Sequence, residues 1–153
     1  MKIAIAFDHA GFPLKSMVVE AVEAAGHEIN DLGTWSTDPV DYPDTARLAA
    51  EAVRGGAAER AILVCGSGAG VAVAACKFPN IRAVVAHDTY TAHQAVEHDD
   101  CNVLCLGGRV IGPALAADII QAYLAASFTG DDRHVRRLAK IDGIEREFLR
   151  DDI

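Results

Sequence analysis

Short runs of large aliphatic residues alternate along the chain with longer stretches in which apolar positions recur every three or four residues. "KIAIAF" at 2 to 7, "RAILV" at 60 to 64, "RAVVA" at 82 to 86 and "NVLCL" at 102 to 106 each run into a glycine or a polar turn. Such runs predict parallel strands buried on both faces. "HEIND" at 27 to 31 is a weaker candidate that would bring the sheet to about five strands. Helical patterns lie at about 13 to 26, 44 to 55, 69 to 77, 89 to 97 and 113 to 127, several opened by Pro, Asp, Ser or Thr. Strand alternating with helix predicts an α/β fold, a parallel sheet with helices on both faces.

Beyond residue 127 the pattern changes. "FTGDDRHVRRLAKIDGIEREFLRDD" reads as a charged amphipathic helix with Ile141, Ile144 and Phe148 on one side, a surface for its own core or for a partner subunit. No repeat, low-complexity tract or linker interrupts the 153 residues, so one domain over 1 to 153 is expected. A composition of 51% hydrophobic and 24% charged residues is that of a soluble globular chain, and 6% aromatics leaves Ala, Val, Ile and Leu to fill the interior. No apolar run is long enough for a membrane span, and the amino terminus enters a strand pattern rather than a cleavable signal, so a cytoplasmic protein is expected. The net charge of -8 argues against nucleic acid or an anionic membrane as partner. An anionic substrate would have to be met by a local cluster of arginines.

In a sheet of this kind ligands collect at the carboxyl ends of the strands, where chain order reverses. That rule selects "FDHAG", "CGSGAG", "HDTYTAH" and "GGRVIG". The turn "GSGAG" ahead of a helix offers backbone N–H groups to an anion. It lacks the Lys-Ser/Thr ending of a P-loop and follows the third strand rather than the first, which disfavours a nucleotide. Cys65, just before the turn, has three readings. The amides could stabilise its thiolate as base or nucleophile; it could be a small buried hydrophobe; or it could ligate a metal. The four cysteines, Cys65, Cys76, Cys101 and Cys105, are expected as free thiols. His93, His98, Cys101 and Cys105 have ligand chemistry, but without a CxxC or HxxxH pair no metal site is expected. Cys76, Cys101 and Cys105 are read as packing residues.

Asp8 and His9 could orient a hydroxyl and move a proton, or Asp8 could cap the helix that begins near Pro13. His98 closes the helix "TYTAHQAVEH", where a cation favours the dipole, and a histidine titrating near neutral pH can act as acid or base. His87 and His93 have less to recommend them. Arg109 follows two glycines that leave room for a ligand, and Arg133 and Arg137 share a helix face with His134 beside them. Guanidinium groups suit phosphate; a solvated helix with Arg–Glu pairs is the competing account.

Taken together, "DHAGFPLK", "DLGT", "VDYPDTA", "VCGSGAGVAVAACKFPNIRA", "HDDCNVLCLGGRVIG" and "RHVRR", spanning 8 to 137, resemble the type B ribose-5-phosphate isomerases. These belong to the sugar-phosphate isomerase family that also contains galactose-6-phosphate isomerase. The resemblance implies a Rossmann-like three-layer α/β/α sandwich, a metal-independent aldose–ketose isomerase without cofactor, and active sites shared across a homodimer, with a tetramer as the alternative. It implies Cys65 as the base that forms a cis-enediolate, the amides of Ser67, Gly68, Ala69 and Gly70 as the hole for the enediolate oxygen, Gly66 as a further substrate-binding residue, and His98 as the group that helps open the sugar ring. Asp8 would orient hydroxyls and shuttle a proton, and His9 would lie by the substrate or its phosphate. Arg109, Arg133 and Arg137 would clamp the phosphate, joined by His134 and supplied in part by the neighbouring subunit.

Some relatives use a glutamate a few residues after the cysteine position, where this chain has Val71, which places it in the cysteine-based branch. Asp99 stands where the family usually has Asn beside the catalytic histidine, and an ionised Asp cannot donate a hydrogen bond to substrate. Cys76 replaces the Asn of the family's "ANK". Both departures bear on the sugar more than on the reaction. Ribose 5-phosphate and ribulose 5-phosphate are the expected pair, with allose 6-phosphate, galactose 6-phosphate or a tetrose phosphate as other substrates. A non-catalytic phosphate-sensing module is the reading from a different class.

Overall fold

A computed structural model describes residues 1–148. Its order is β1 (Lys2–Phe7), a 3-10 turn (Phe12–Leu14), α1 (Lys15–Ala24), β2 (Glu28–Asp31), α2 (Tyr42–Arg54), β3 (Arg60–Cys65), α3 (Ala69–Ala75), β4 (Ala83–Val85), α4 (Thr89–Asp99), β5 (Val103–Gly107), α5 (Pro113–Ala125) and α6 (Asp132–Phe148). The five strands are all parallel, in the order β2-β1-β3-β5-β4. The weak "HEIND" segment is a genuine edge strand, with Lys2 opposite Glu28 and Ile5 opposite Asp31.

Because successive strand residues point to opposite faces, the aliphatic runs divide between two cores. Ile3, Ile5, Phe7, Ile62 and Val64 pack with Val18 and Val22 of α1, Ala92 and Val96 of α4, and Ile119, Ile120 and Tyr123 of α5. Ala4, Ala6, Leu63, Cys65 and Cys105 face α2 and α3, through Ala46, Ala49, Ala50, Val71 and Ala75. Alanine on both sides of this second layer lets α2 lie close to the sheet, as the low aromatic content requires. The result is the expected three-layer α/β/α sandwich.

From β1 the chain passes to β2 on one side and then to β3 on the other. This reversal opens a crevice at the carboxyl ends of β1 and β3, where the amide of Asp8 donates to the carbonyl of Val64 at 3.1 Å. α6 stands outside the layers. It packs on α4, and its link to the loop before β4 is the Glu145 carboxylate, which accepts the N–H of Asn80 at 2.9 and 3.0 Å. Ile144 and Phe148 remain exposed, while the face turned to the domain carries His134, which is buried.

Candidate active site

At the carboxyl end of the sheet the functional atoms are placed by backbone. Asp8 is buried, and its Oδ1 accepts the amides of Ala10 and Gly11, both at 2.9 Å, so it braces the turn ahead of the helix rather than the helix start itself, which Gly11 occupies without a side-chain cap. Its Oδ2 takes no hydrogen bond among the described residues. Gly11 permits the tight turn, since a Cβ there would fall on the Val64 carbonyl. Cys65, only 4% exposed, ends β3 with Sγ accepting the N–H of Gly68 at 3.0 Å. Gly68 carries φ +80, and a Cβ on it would lie 3.0 Å from the Leu106 backbone, so glycine alone lets the turn fold back toward the sulfur. Ser67 Oγ accepts the Ala69 amide at 3.3 Å where α3 begins.

The end of β5 closes the same group. Gly108 donates to the Cys65 carbonyl at 2.7 Å, and Arg109 to that of Gly66 at 3.0 Å. These bonds bring the Arg109 guanidinium over Gly66, where a Cβ would come within 3.7 Å of Nη1. His9 sits at the rim with Nδ1 accepting the amide of Val40 at 3.3 Å. Two residues at this end carry no role in the sequence reading. The Tyr42 ring covers Gly70 so closely that a Cβ would lie 2.8 Å from it. His87 Nε2 accepts the Gly107 amide at 2.9 Å and ties the ends of β4 and β5 together. His87 opens the "HDTYTAH" stretch that the strand-end rule selects, though nothing in the sequence singles it out there; Tyr42 lies in the "VDYPDTA" stretch, where an aromatic at a helix start facing a glycine turn is the only clue.

The remaining predicted residues lie elsewhere. α4 runs from the carboxyl end of β4 back to the amino end of β5, so His98 and Asp99 sit at the amino edge of the sheet. With a rise of about 1.5 Å per residue, α4 carries His98 on the order of 14 Å from the edge that holds Cys65. The helix stops at Asp100, in the left-handed region at φ 47, whose carboxylate pairs with Arg82 at 2.7 Å. The His98 ring stacks on His134 of α6, with centroids 4.1 Å apart and an interplanar angle of 22°. Arg133 Nε donates to His134 Nε2 at 3.2 Å, and Arg137, a turn further on, is exposed beside them. Burial, then the neighbouring His98 and Arg133, hold the pKa of His134 below the usual histidine value. Asp99 lines a cavity of about 310 Å³ with Arg82, Cys101 and Ile141. Burial there, with the Asp99 charge second, pushes the Cys101 thiol up to about 12.

One chain therefore gathers Asp8, His9, Cys65, Gly66, Ser67, Gly68, Ala69, Gly70 and Arg109 at one end, and His98, Asp99, Arg133, His134 and Arg137 at the other. The three arginines do not converge within a chain. Of the cysteines read as packing, Cys101 and Cys105 are buried; Cys76 is not, because it ends α3 on the outer side with its thiol 3.6 Å from the Ala83 carbonyl. No group of three His, Cys, Asp or Glu is disposed to hold a metal among the described residues, and no described helix is long and apolar enough to cross a membrane.

A thiol under an amide donor, beside a carboxylate and an arginine at a topological switch point, is suited to moving a proton next to an anion. Residues 3–141 match the family model described as Ribose/Galactose Isomerase. The chain belongs to the ribose/galactose isomerase family. Within this family it is 45% identical over 145 residues to ribose-5-phosphate isomerase B of Escherichia coli K12, covering 95% of this chain and 97% of that protein. It is 40% identical over 147 residues to D-erythrulose-4-phosphate isomerase 2 of Mycolicibacterium smegmatis, covering 94% and 95%. The ribose-5-phosphate isomerase B structure from Mycoplasma genitalium with bound ribulose-5-phosphate superposes with a TM-score of 0.89 at 37% identity, covering 95% of this chain and 97% of that one. As an isomerase of this family, the chain has its fold over nearly its whole length.

Proposed function

We propose that the chain interconverts ribose 5-phosphate and ribulose 5-phosphate, with Cys65 as the base and with each active site assembled from the two ends of two protomers. The observation that carries this reading is the placement of Cys65 Sγ under the Gly68 amide at the switch point, 3.0 Å from the nitrogen. A phosphate-sensing module would need the arginines and the amides but no sulfur there.

In the proposed reaction the partner's ring-opening histidine, equivalent to His98, donates to the ring oxygen while Asp8 Oδ2 receives the proton of the anomeric hydroxyl. The Cys65 thiolate then takes the proton from the carbon next to the carbonyl. The electron pair moves to the carbonyl oxygen, giving a cis-enediolate whose charge meets the amides from Ser67 to Gly70. Preformed donors of this kind are worth about 2.7 to 4 kcal/mol each in a water-excluded site. Cys65 returns its proton to the former carbonyl carbon, and Asp8 passes a proton between the two oxygens. Phosphate held by Arg109 from one protomer and Arg133 and Arg137 from the other fixes the reacting carbon without entering the chemistry.

The separation of His98 from Cys65 along α4 supports a dimer, since neither end has a complete set of groups. In a two-fold dimer each end of one protomer meets the opposite end of its partner, which repeats the site twice. The relatives named for ribose 5-phosphate and for erythrulose 4-phosphate are of similar identity, so the sugar's length is tested directly. A panel of four-, five- and six-carbon sugar phosphates is assayed with the native protein, Cys65→Ala and His98→Ala. Highest kcat/KM on ribose 5-phosphate is expected; a preference for the four- or six-carbon sugars would reassign the substrate, and no turnover would remove the enzyme. Mixing the two inactive variants under exchange should restore about a quarter of native activity, because half of the dimers are hybrids with one intact site. No recovery would sink the shared site.

A further inference from the structure

His134 belongs, by resemblance, to the phosphate clamp, yet its geometry is poor for binding an anion. The ring is 2% exposed, one face is covered by His98 at 4.1 Å, and Nε2 already accepts from Arg133. A nitrogen that accepts an N–H carries no proton, so the neutral ring has its proton on Nδ1. Arg133 in turn spends Nε on this bond and keeps the Nη pair for a ligand, with Asp131 3.9 Å from Nη2. His98 is more open, 30% exposed on its side chain, with its Nε2 3.8 Å from the Glu97 carboxylate, which His93 also faces at 3.6 Å.

We propose that His134 is a positioning residue that sets two working groups at once: its ring face orients the ring-opening His98, and its unprotonated Nε2 orients the phosphate-binding Arg133. This rests on the functional reading above and adds that ring opening and phosphate recognition are held in register by a single buried neutral imidazole. Register between the helices comes from Thr129, whose amide and hydroxyl both donate to the Glu97 carbonyl, at 3.1 and 3.3 Å, one residue before His98. With His98 stacked on it and Arg133 and Arg137 nearby, a charge on His134 would meet three cationic or protonatable neighbours against the single carboxylate of Asp131.

Two substitutions separate the arms. His134→Phe keeps an aromatic face for His98 and removes the acceptor for Arg133: KM should rise about 10-fold with kcat within about 3-fold of native. His134→Ala removes both: KM should rise as much, and kcat should fall about 10-fold or more because the ring-opening group loses its orientation. A direct phosphate ligand would give the same KM increase in both variants with kcat untouched, and that pattern would overturn the His98 arm. A native KM in His134→Phe would overturn the Arg133 arm.

Nitrogen-15 spectra of the native protein at pH 8 supply a readout that needs no turnover. They should show His134 with a bare Nε2 and a protonated Nδ1, and an upfield ring-current shift of the His98 ring protons that persists in His134→Phe and disappears in His134→Ala. A proton on His134 Nε2, or a His98 signal indifferent to both substitutions, would overturn the positioning role whatever the assay shows. If the spectra behave as expected while no sugar phosphate is turned over, it is the isomerase reading that fails.

Discussion

The two ends of the sheet place their functional groups by different means. At the carboxyl end, Cys65, Asp8 and Arg109 are held by backbone amides and carbonyls: Gly68 on the sulfur, Ala10 and Gly11 on the carboxylate, Gly66 on the arginine's own main chain. At the amino end, His98, His134 and Arg133 hold one another by side chains between α4 and α6. The first arrangement is as rigid as the parallel sheet that carries it. The second depends on how one outlying helix docks, so it can shift without moving Cys65. On the proposed reading, the base and one clamp arginine, Arg109, sit on the rigid end, and the ring-opening His98 with Arg133 and Arg137 sits on the adjustable one.

The comparison is sharpest at Cys65. Replacing it with Ala should cost about 10²- to 10⁴-fold in kcat, the usual worth of a positioned general base, with little change in stability because the side chain is small and the backbone bonds remain. Activity within about 3-fold of native would remove the thiolate from the mechanism. Gly68→Ala tests the backbone that holds the sulfur. Its φ of +80 and the Leu106 contact leave no room for a methyl, so about 1 to 3 kcal/mol of stability should be lost, together with most of the activity. Gly112→Ala, where nothing lies within 4 Å of the added carbon, serves as the control and should behave as native in both urea melts and turnover.

The carboxyl end was also the legible one. The aliphatic runs ending in "FDHAG", "CGSGAG" and "LGGRVIG" identify strands buried on both faces and the turns that follow them, because a two-sided core needs continuous apolar residues and a close turn needs glycine. Even the weak strand at 28–31 was recognisable from its place in the alternation. The amino end was not legible in the same way. Periodicity grouped Ile141, Ile144 and Phe148 on one side of α6, but it cannot say which side meets the domain: that side carries His134, Leu138 and Glu145, and Ile141 with them at the Asp99 cavity, while Ile144 and Phe148 point away. His98 could be read as the cation that closes α4, but its distance from Cys65 could not; only the direction of α4 puts the two at opposite edges. Cys76 misled for a statistical reason: cysteine is usually buried, and this one closes a helix on its outer side.

At the adjustable end the effects should be smaller. Arg133→Ala removes a donor pair from the proposed clamp and should weaken substrate binding by about 1.5 to 3 kcal/mol, read as a rise in KM or in the inhibition constant of a phosphorylated sugar alcohol. Native affinity would leave Arg133 as no more than a solvated residue of α6. The same substitution should leave the rate at which an alkylating reagent inactivates Cys65 within about 2-fold of native, since the sulfur is held by the other end of the sheet.

The smallest effect expected is on stability against pH, and its sign follows from the two histidines held below the ordinary value near 6.5. For His134 the cause is burial first, then His98 and Arg133; for His27 it is burial first, then the amino-terminal charge and Arg60. In the folded chain both resist protonation, whereas in the unfolded chain both take up protons as pH falls through about 6.5. The stability they contribute is fully present above that pH and is lost progressively below it. The urea midpoint should therefore be lower at pH 5.5 than at pH 7.5. Asp88, whose hydrogen bonds from Thr91 lower its pKa, loses its contribution only near the ordinary carboxylate range around 3.9, outside this window. His134→Phe and His27→Gln should each reduce the difference between the two midpoints, and the double variant should reduce it further. A His134→Phe protein with the native difference would mean that His134 is as easily protonated in the fold as in the unfolded chain, and the buried neutral ring between α4 and α6 would have to be given up.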